Sequence, residues 1–321
     1  MSAETALILL PGALTTVQDL GRTGWQYCGV SVGGAMDPFA ATVANILAGN
    51  NPKDAVLEIT LLGPQIKILQ DTTIAVAGAD LAATLDGERI APWSSKSVLS
   101  GQVLTFGQRA AGARAYLAIN GGVDVPCVMG SRSTDLKALV GGYRGRALKA
   151  GDILSAKTIR GHARFGGRSL LPGDLQLYRP PNTPIRFLRS RGGLACSANI
   201  FDQFLSQSRT VRPDSDRMGY RFAGPQVEND AKPTDDSWSE PVTAGVIQIP
   251  PDGQPIVLMA GCQTVGGYPR VGVVITVDIG RLAQAAPSDA VQFVEVSMDV
   301  AQSELHRQAQ YIAHLSVSNV I

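Results

Sequence analysis

Ser100-Gly101-Gln102-Val103-Leu104 and Ala150-Gly151-Asp152-Ile153-Leu154 spell one device twice, a glycine turn followed by entry into a strand. Pro172-Gly173-Asp174-Leu175 and Pro287-Ser288-Asp289-Ala290-Val291 repeat the theme. Turn-to-strand units recurring along a chain suit barrels or barrel-like sheets rather than a parallel α/β sheet. The fold class expected is therefore mainly β, with a few helices.

The segments around these turns agree. Ala6–Leu10 reads as the first strand. Leu57, Ile59 and Leu61 alternate with Glu58 and Thr60, as in a half-buried strand. Asp86-Gly87 is a hairpin signal between two short strand-like runs. Ala113–Ile119 runs into Gly121-Gly122, and Pro255–Ala260 leads straight to Gln263. Three helices are expected. Pro38 to about Ala48 is capped by Asp37, starts on proline and ends at Gly49. Ser197–Gln207 carries Ile200, Phe201, Phe204 and Leu205 on one face. Asp299 to about His314 opens with Asp299 and Gln302 as a weak capping box. Prolines in Arg179–Pro184 mark a boundary between residues 1–178 and 179–321. Gly161–Arg168 is a basic, glycine-rich stretch that reads as an exposed loop.

Composition excludes several functions. The 321 residues carry a net charge of +1 and only 17% charged side chains, with no basic block for nucleic acid. Charges or glycines interrupt every apolar run well short of the ~20 residues a membrane span needs. Cys28, Cys127, Cys196 and Cys262 form no CxxC pair, which argues against a zinc site or a disulfide framework and suits reduced thiols in the cytoplasm. No GxxxxGK[ST] or GxSxG motif occurs. Three histidines, His162, His306 and His314, are too few and too scattered for a triad or a His-rich metal site.

Polar recognition remains. Ser215-Asp216-Arg217-Met218-Gly219-Tyr220-Arg221 packs two arginines and an aspartate about a glycine. Asp216 could hold one guanidinium fork and leave the other for a ligand. Taken alone, the stretch reads more simply as an ion pair closing a β-turn. Three further polar glycine loops accompany it: Gly33–Pro38, Gly130–Asp135 and Gln263–Pro269. Arg22, Arg132, Arg217 and Arg221 can neutralise an anion. Gln248, Gln263, Thr264, Ser133 and Tyr268 can hydrogen-bond an amide or carboxylate. Glu58, Asp216 and Glu240 are acid/base candidates or arginine partners. Asn45 could be a buried polar contact, and Cys262 a small buried residue. Fixed donors of this kind stabilise developing negative charge rather than supply a nucleophile.

These motifs occur in an order that resembles the biotin-dependent carboxyltransferase / allophanate hydrolase subunit 2 family, which includes C subunits of bacterial 5-oxoprolinase. Pro11-Gly12, Thr15–Gly24, Gly34–Asp37, Ala44-Asn45, Glu58–Thr60 and Gly63-Pro64 carry the first part. Gly130–Asp135, Gly141-Gly142, Gly145-Arg146, Ser215–Arg221, Gly245–Pro250 and Gln263–Pro269 complete it. The resemblance runs from about Leu10 to about Val296. It implies two cyclophilin-like β-barrel halves, a B-type partner of related architecture and an A subunit. It also implies ATP-dependent opening of 5-oxo-L-proline to glutamate, with ATP shared by the complex. The alternatives within the family are transfer of a carboxyl group from carboxybiotin, supplied by another subunit, to urea or a related amide, and a non-catalytic regulator that binds a B-type kinase inhibitor. Candidate catalytic residues are Asp216, Arg217 and Gln263. Candidate substrate-binding residues are Arg22, Asn45, Glu58, Arg132, Ser133, Thr134, Arg221, Gln248, Thr264, Gly266, Gly267 and Tyr268; no metal is expected. Two positions depart from the family pattern: Gly261-Cys262 stands where a polar pair is expected, and Pro287-Ser288-Asp289 replaces Pro-Gly-Asp. The chain has no Ala-Met-Lys-Met motif and is not expected to carry biotin.

Overall fold

The computed structural model describes residues 2–157, 166–170, 183–191, 196–227 and 239–318. Strand accounts for 35% and helix for 18% of the structure. The turn at 172–175, most of the basic stretch 161–168 and most of the proline-rich segment 179–184 lie outside the described residues. The chain forms two compact units. Unit 1 takes the described residues of Met1–Arg22, Gly33–Leu177 and Gln310–Ile321; unit 2 takes those of Thr23–Val32 and Tyr178–Ala309. No helix among the described residues is long and apolar enough to cross a membrane.

Unit 1 is built on two sheets. One has the order β11-β1-β4-β9-β6-β7, from β1 (Ser2–Leu10), β4 (Gln65–Ile68), β6 (Thr84–Leu85), β7 (Glu88–Arg89), β9 (Val103–Thr105) and β11 (Ile153–Lys157). The other has the order β2-β3-β10-β5-β8, from β2 (Leu14–Gln18), β3 (Val56–Thr60), β5 (Thr72–Asp80), β8 (Ser94–Val98) and β10 (Ala111–Ile119). Alternation explains the core. Ile8, Ile66, Leu104 and Leu154 of the first sheet join Val17, Leu57, Ile59, Leu117 and Ile74 of the second in one buried cluster. The Asp86-Gly87 hairpin forms as expected, with both residues at positive φ (49° and 89°), the geometry that matches the twist of its strands.

Strand alternation leaves a second face on the sheet that holds β3, β10, β5 and β8, and helix α1 (Pro38–Ala48) covers it, chiefly over β5 and β10. The Asp37 side chain accepts from Ala40 N–H, Pro38 opens the first turn, and Gly49 ends the helix in the left-handed region at φ 78°. Every residue from Phe39 to Ala48 is buried, because Ala-rich turns lie flat on the sheet while Phe39 reaches Trp93 and Tyr311 at ring separations of 6.0 and 6.3 Å.

Unit 2 holds an eight-stranded sheet in the order β20-β13-β14-β17-β16-β19-β12-β21. Its strands are β12 (Ile185–Arg189), β13 (Arg209–Val211), β14 (Gly219–Ala223), β16 (Val246–Gln248), β17 (Ile256–Leu258), β19 (Arg270–Val274), β20 (Ala290–Val291) and β21 (Phe293–Glu295). The two edge strands, β20 and β21, are separated in the chain by Gln292 alone, so the sheet curls nearly into a closed barrel. A small ribbon of β15 (Glu240–Pro241) and β18 (Val265–Gly266) accompanies it. The interior is aromatic: Phe187, Phe204, Phe222 and Phe293 pack mostly edge to face, with ring separations of 5.0 to 6.4 Å.

Three further helices complete the structure. Helix α2 (Ala198–Leu205) is capped by Ser197, whose hydroxyl accepts from Ile200 N–H. Helix α3 (Thr276–Ala283) is not expected from the sequence. Helix α4 (Met298–Ser318) is longer than expected, and its first turn is closed by Ser297, which accepts from Val300 N–H, rather than by the Asp299–Gln302 pair.

A buried ion network ties β12 to α3 and to the start of α4. Asp278 is fully buried and takes both Nε and Nη2 of Arg186 at 2.9 and 2.8 Å, with Arg281 Nη1 at 2.9 Å. The remaining nitrogen of Arg186 reaches Glu304 at 3.0 Å. Burial alone would raise the Asp278 carboxyl; hydrogen bonds from Arg186 and the charge of Arg281 outweigh it and hold the group below its ordinary value of 3.8. A carboxyl lowered on folding stabilises the protein above its unfolded value, and the contribution is lost as pH falls through the folded one. Asp278→Asn should cost about 3–5 kcal/mol at pH 7, because it strands two buried guanidinium groups. Chemical denaturation across pH checks this: the gap between wild type and variant should close below pH 3.8 and be widest near neutrality.

Candidate active site

The first polar constellation lies in unit 1, where β2 ends. Val17 faces the core, so Asp19, two residues on, leaves the strand among backbone groups rather than apolar ones. Asp19 Oδ1 accepts from the hydroxyls of Ser131 and Ser133 at 2.6 and 2.5 Å and from Gly21 N–H at 2.8 Å. Its Oδ2 accepts from Arg132 N–H at 2.5 Å. Asp19 N–H in turn donates to Ser133 Oγ at 2.9 Å. The next residue, Thr134, donates both its N–H and its hydroxyl to Val17 O at 2.9 Å. The 131–134 loop is thereby clamped to the end of β2. Arg22 is 1% exposed and donates from Nη2 to Ser133 O. Arg132 uses Nε on Val125 O at 3.1 Å.

A second polar row runs across the sheet beneath α1. Register places Thr16 opposite Glu58, and Glu58 opposite Tyr116. Glu58 Oε2 accepts from Met36 N–H at 2.7 Å and from the Tyr116 hydroxyl at 2.8 Å; that hydroxyl accepts from Asp37 N–H at 2.8 Å. Glu58 therefore anchors the entry to α1. Burial, with the nearby Glu58 charge, pushes the Tyr116 hydroxyl well above its usual value of 10.0, so it remains a proton donor. Asn45, another expected contact, is spent on structure: Nδ2 donates to Asp54 O at 2.7 Å and Oδ1 accepts from Asn50 at 3.0 Å.

Unit 2 brings the other candidates together. Pairing of β14 with β17 places Gly219 opposite Leu258, so the loops on either side run side by side. Gly261 N–H donates to Arg217 O at 2.7 Å, and Met259 N–H to Met218 O at 3.0 Å. Arg217 and the Gln263 loop are thus neighbours. Asp216 does not hold an arginine fork. Its Oδ1 accepts from Met218 N–H and Gly219 N–H at 2.7 and 3.2 Å, closing the turn into β14. Arg221 is exposed and lies 3.8 Å from Asp214, which Arg212 already grips with two bonds of 3.0 Å. Gln263 is exposed and makes no hydrogen bond among the described residues. Gln248 is 2% exposed, and its Nε2 has no acceptor; a Cβ on Gly266 would sit 2.7 Å from that nitrogen. Beside them, Glu240 pairs with Arg270, Thr264 O accepts from Val242 N–H at 3.0 Å, and Tyr268 is half exposed. Burial raises the Cys262 thiol to about 11, which makes it an inert packing residue rather than a nucleophile.

The two units thus hold separate sets: Arg22, Asn45, Glu58, Arg132, Ser133 and Thr134 in unit 1, the remaining candidates in unit 2. Asp19 and Tyr116 belong to the first set and Arg270 to the second, although none was selected from the sequence. Asp19 contacts residues about 112 positions away, so no local motif reveals it. The signal available for Tyr116 is its isolation, a single phenol in Arg114-Ala115-Tyr116-Leu117-Ala118.

Residues 28–295 match the sequence profile of the carboxyltransferase domain, subdomains A and B. The chain belongs to this family. It is 37% identical over 312 residues to the C subunit of 5-oxoprolinase from Escherichia coli (strain K12), covering 96% of this chain and 97% of that one. The crystal structure of the K. lactis urea amidolyase superposes with a TM-score of 0.87 at 30% identity, over 98% of this chain and 20% of the enzyme. The crystal structure of TTHA0988 gives 0.79 at 33% identity, over 91% of this chain; the match spans 55% of that protein. The family pattern and the mainly β architecture read from the sequence are both borne out.

Asp19→Ala would leave two hydroxyls and two backbone N–H groups without their acceptor. A loss of about 2–4 kcal/mol is expected, measured by urea denaturation, with Asp19→Asn intermediate.

Proposed function

We propose that this chain is the C subunit of an ATP-dependent 5-oxoprolinase and helps open 5-oxo-L-proline to L-glutamate with B-type and A-type partner subunits in the cytoplasm. The supporting observation is reciprocal coverage. The match to the E. coli protein spans 96% of this chain and 97% of that one, whereas the urea amidolyase match spans only 20% of the enzyme.

The chemistry of the candidate residues suits the reaction. A lactam carbonyl is a weak electrophile, and opening it requires charge to build on its oxygen. Fixed donors placed where that charge develops lower the barrier. Gln263, Gln248 and Thr264 offer amide and hydroxyl donors for the ring; Arg217 offers a cation beside them. Asp216 holds the Arg217 turn in shape by binding the backbone on its far side. It is a positioning residue in this scheme. Glu58 and Asn45 shape the entry to α1 and the loop behind it rather than touch substrate.

ATP supplies the driving force in a reaction of this class. The residues described do not form a phosphate cradle of the P-loop kind. Helix α1 begins on Asp37 and Pro38: the aspartate already accepts from Ala40 N–H, and its charge opposes a phosphate there. Nucleotide binding is therefore assigned to the partner subunits.

A second reading, carboxyl transfer from carboxybiotin to urea or a related amide, has two observations in its favour, the match to the carboxyltransferase domain profile and the 0.87 TM-score to urea amidolyase. The same donors would then hold the carboxyl group and the urea nitrogen. The deciding assay is ATP-dependent release of glutamate from 5-oxo-L-proline, run with the chain alone and with its candidate partners. Activity only in the mixture supports the proposal; none in any mixture of folded, associated subunits overturns it. In the active mixture, Arg217→Ala and Gln263→Ala should each lower turnover tenfold or more with unchanged unfolding temperature, and near wild-type rates in both would remove that pair from the site.

A further inference from the structure

Arg22 is a buried cation that the protein leaves largely unused. It is 1% exposed, yet only Nη2 finds an acceptor, the carbonyl of Ser133. Its Nε and Nη1 are buried and have no hydrogen-bond partner, and no carboxylate among the described residues lies within ion-pair distance. Asp19, three positions earlier, is not its counterion, because both oxygens of that carboxylate are taken by Gly21, Ser131, Arg132 and Ser133. An arginine cannot escape the cost of burial by losing its proton. A buried charge without a direct partner is among the least favourable arrangements a core can contain.

The backbone around the guanidinium is shaped to come close. Gly33 and Gly141 both sit at positive φ, 65° and 69°. A Cβ on Gly33 would lie 3.3 Å from Nη1, and one on Gly141 would lie 2.7 Å from Nη2. Side chains at either position would crowd the charged head. A complementary orphan sits on the same loop. Gln18 is fully buried, and its Nε2 donates to Thr134 O, the carbonyl that follows the one held by Arg22. Its Oε1 has no donor. Unused cationic donors and an unused acceptor are thus tied to consecutive peptide units.

We propose that Arg22 is a binding group for a small carboxylate, which takes Nη1 beside Gly33, and that Gln18 Oε1 accepts from an N–H of the same ligand. A carboxylate with an N–H on the adjoining carbon offers an acceptor to Nη1 and a donor to Gln18 Oε1. Equating that ligand with 5-oxo-L-proline rests on the function proposed above; the carboxylate site itself does not.

The test uses the full chain and four probes: 5-oxo-L-proline, pyrrolidin-2-one (the same ring without the carboxylate), N-acetylglycine (an open-chain carboxylate with the N–H) and inorganic phosphate. Calorimetric titration reads binding, and thermal unfolding reads stability. Wild type should bind 5-oxo-L-proline and N-acetylglycine at least tenfold more tightly than pyrrolidin-2-one. Arg22→Met should abolish that preference while its unligated unfolding temperature stays level or rises, since an unpaired buried charge has been removed. Gly33→Ala, which crowds Nη1 and keeps the arginine, should weaken carboxylate binding with a small fall in unfolding temperature. Equal binding of all probes to wild type, unchanged carboxylate binding in both variants, or tighter binding of inorganic phosphate than of any carboxylate would overturn the proposal. The two readings separate cleanly. If N-acetylglycine binds through Arg22 but the complex opens no lactam, the site stands and the 5-oxoprolinase reading falls. If the complex opens the lactam with a KM indifferent to Arg22→Met, the site falls and the 5-oxoprolinase reading stands.

Discussion

The carboxylate of Asp19 is the interaction on which unit 1's polar site depends. It sits where β2 gives way to loop and gathers donors from a segment more than a hundred residues later. A charged acceptor makes each of these bonds stronger than a neutral one, and burial removes competing water. The loop that carries Ser131 to Thr134 therefore has little freedom. Its carbonyls, which hold Gln18 and Arg22, are fixed with it. The rigid scaffold beneath is apolar and ordinary in composition; what fixes the 131–134 loop is one carboxylate at a strand end.

Two buried guanidinium groups show how the chain separates stability from function. Arg186 meets Asp278 through two parallel bonds and passes its remaining nitrogen to Glu304, so that strand β12 and the helices α3 and α4 are joined by matched charge. Arg22 is equally hidden but meets a single carbonyl. The first arrangement is complete within the protein. The second leaves Nε and Nη1 without a partner, and the proposed carboxylate site rests on that difference. In unit 2 the same economy appears in the Gln248 amide, buried against Gly266 with its nitrogen unbound.

What could be read in the sequence was local. Helix α1 is legible to the residue because Asp37, Pro38 and Gly49 are terminal signals with one physical meaning each, and the Asp86-Gly87 hairpin is legible for the same reason. Helix α3 was not, because Thr276, Val277 and Ile279 are β-branched and Gly280 is a poor helix former, so the segment reads as a continuation of the strand before it. Buried Asp278 and its pairing with Arg186 hold that helix in spite of its propensity. The start of α4 went to Ser297 because a hydroxyl one residue before the helix can reach the N–H three residues on. The candidate residues were read as one polar set, whereas the structure divides them between two units, and their division of labour was not legible. Asp216 and Asn45 have the composition of ligand-binding groups, and only the structure reveals that backbone and asparagine partners already occupy them. Nor can a sequence place Thr23–Val32 with the unit formed by the second half of the chain.

The central claim is that the family's donors serve lactam opening here rather than carboxyl transfer, and dependence on biotin tests it most directly. In a reconstituted complex consuming ATP and 5-oxo-L-proline, avidin would be added after bicarbonate has been removed. Lactam opening needs neither carboxybiotin nor a carboxyl donor, so the rate of glutamate formation should be unchanged. A rate that collapses with avidin, but not with avidin already saturated with biotin, would contradict the account and assign this chain to carboxyl transfer.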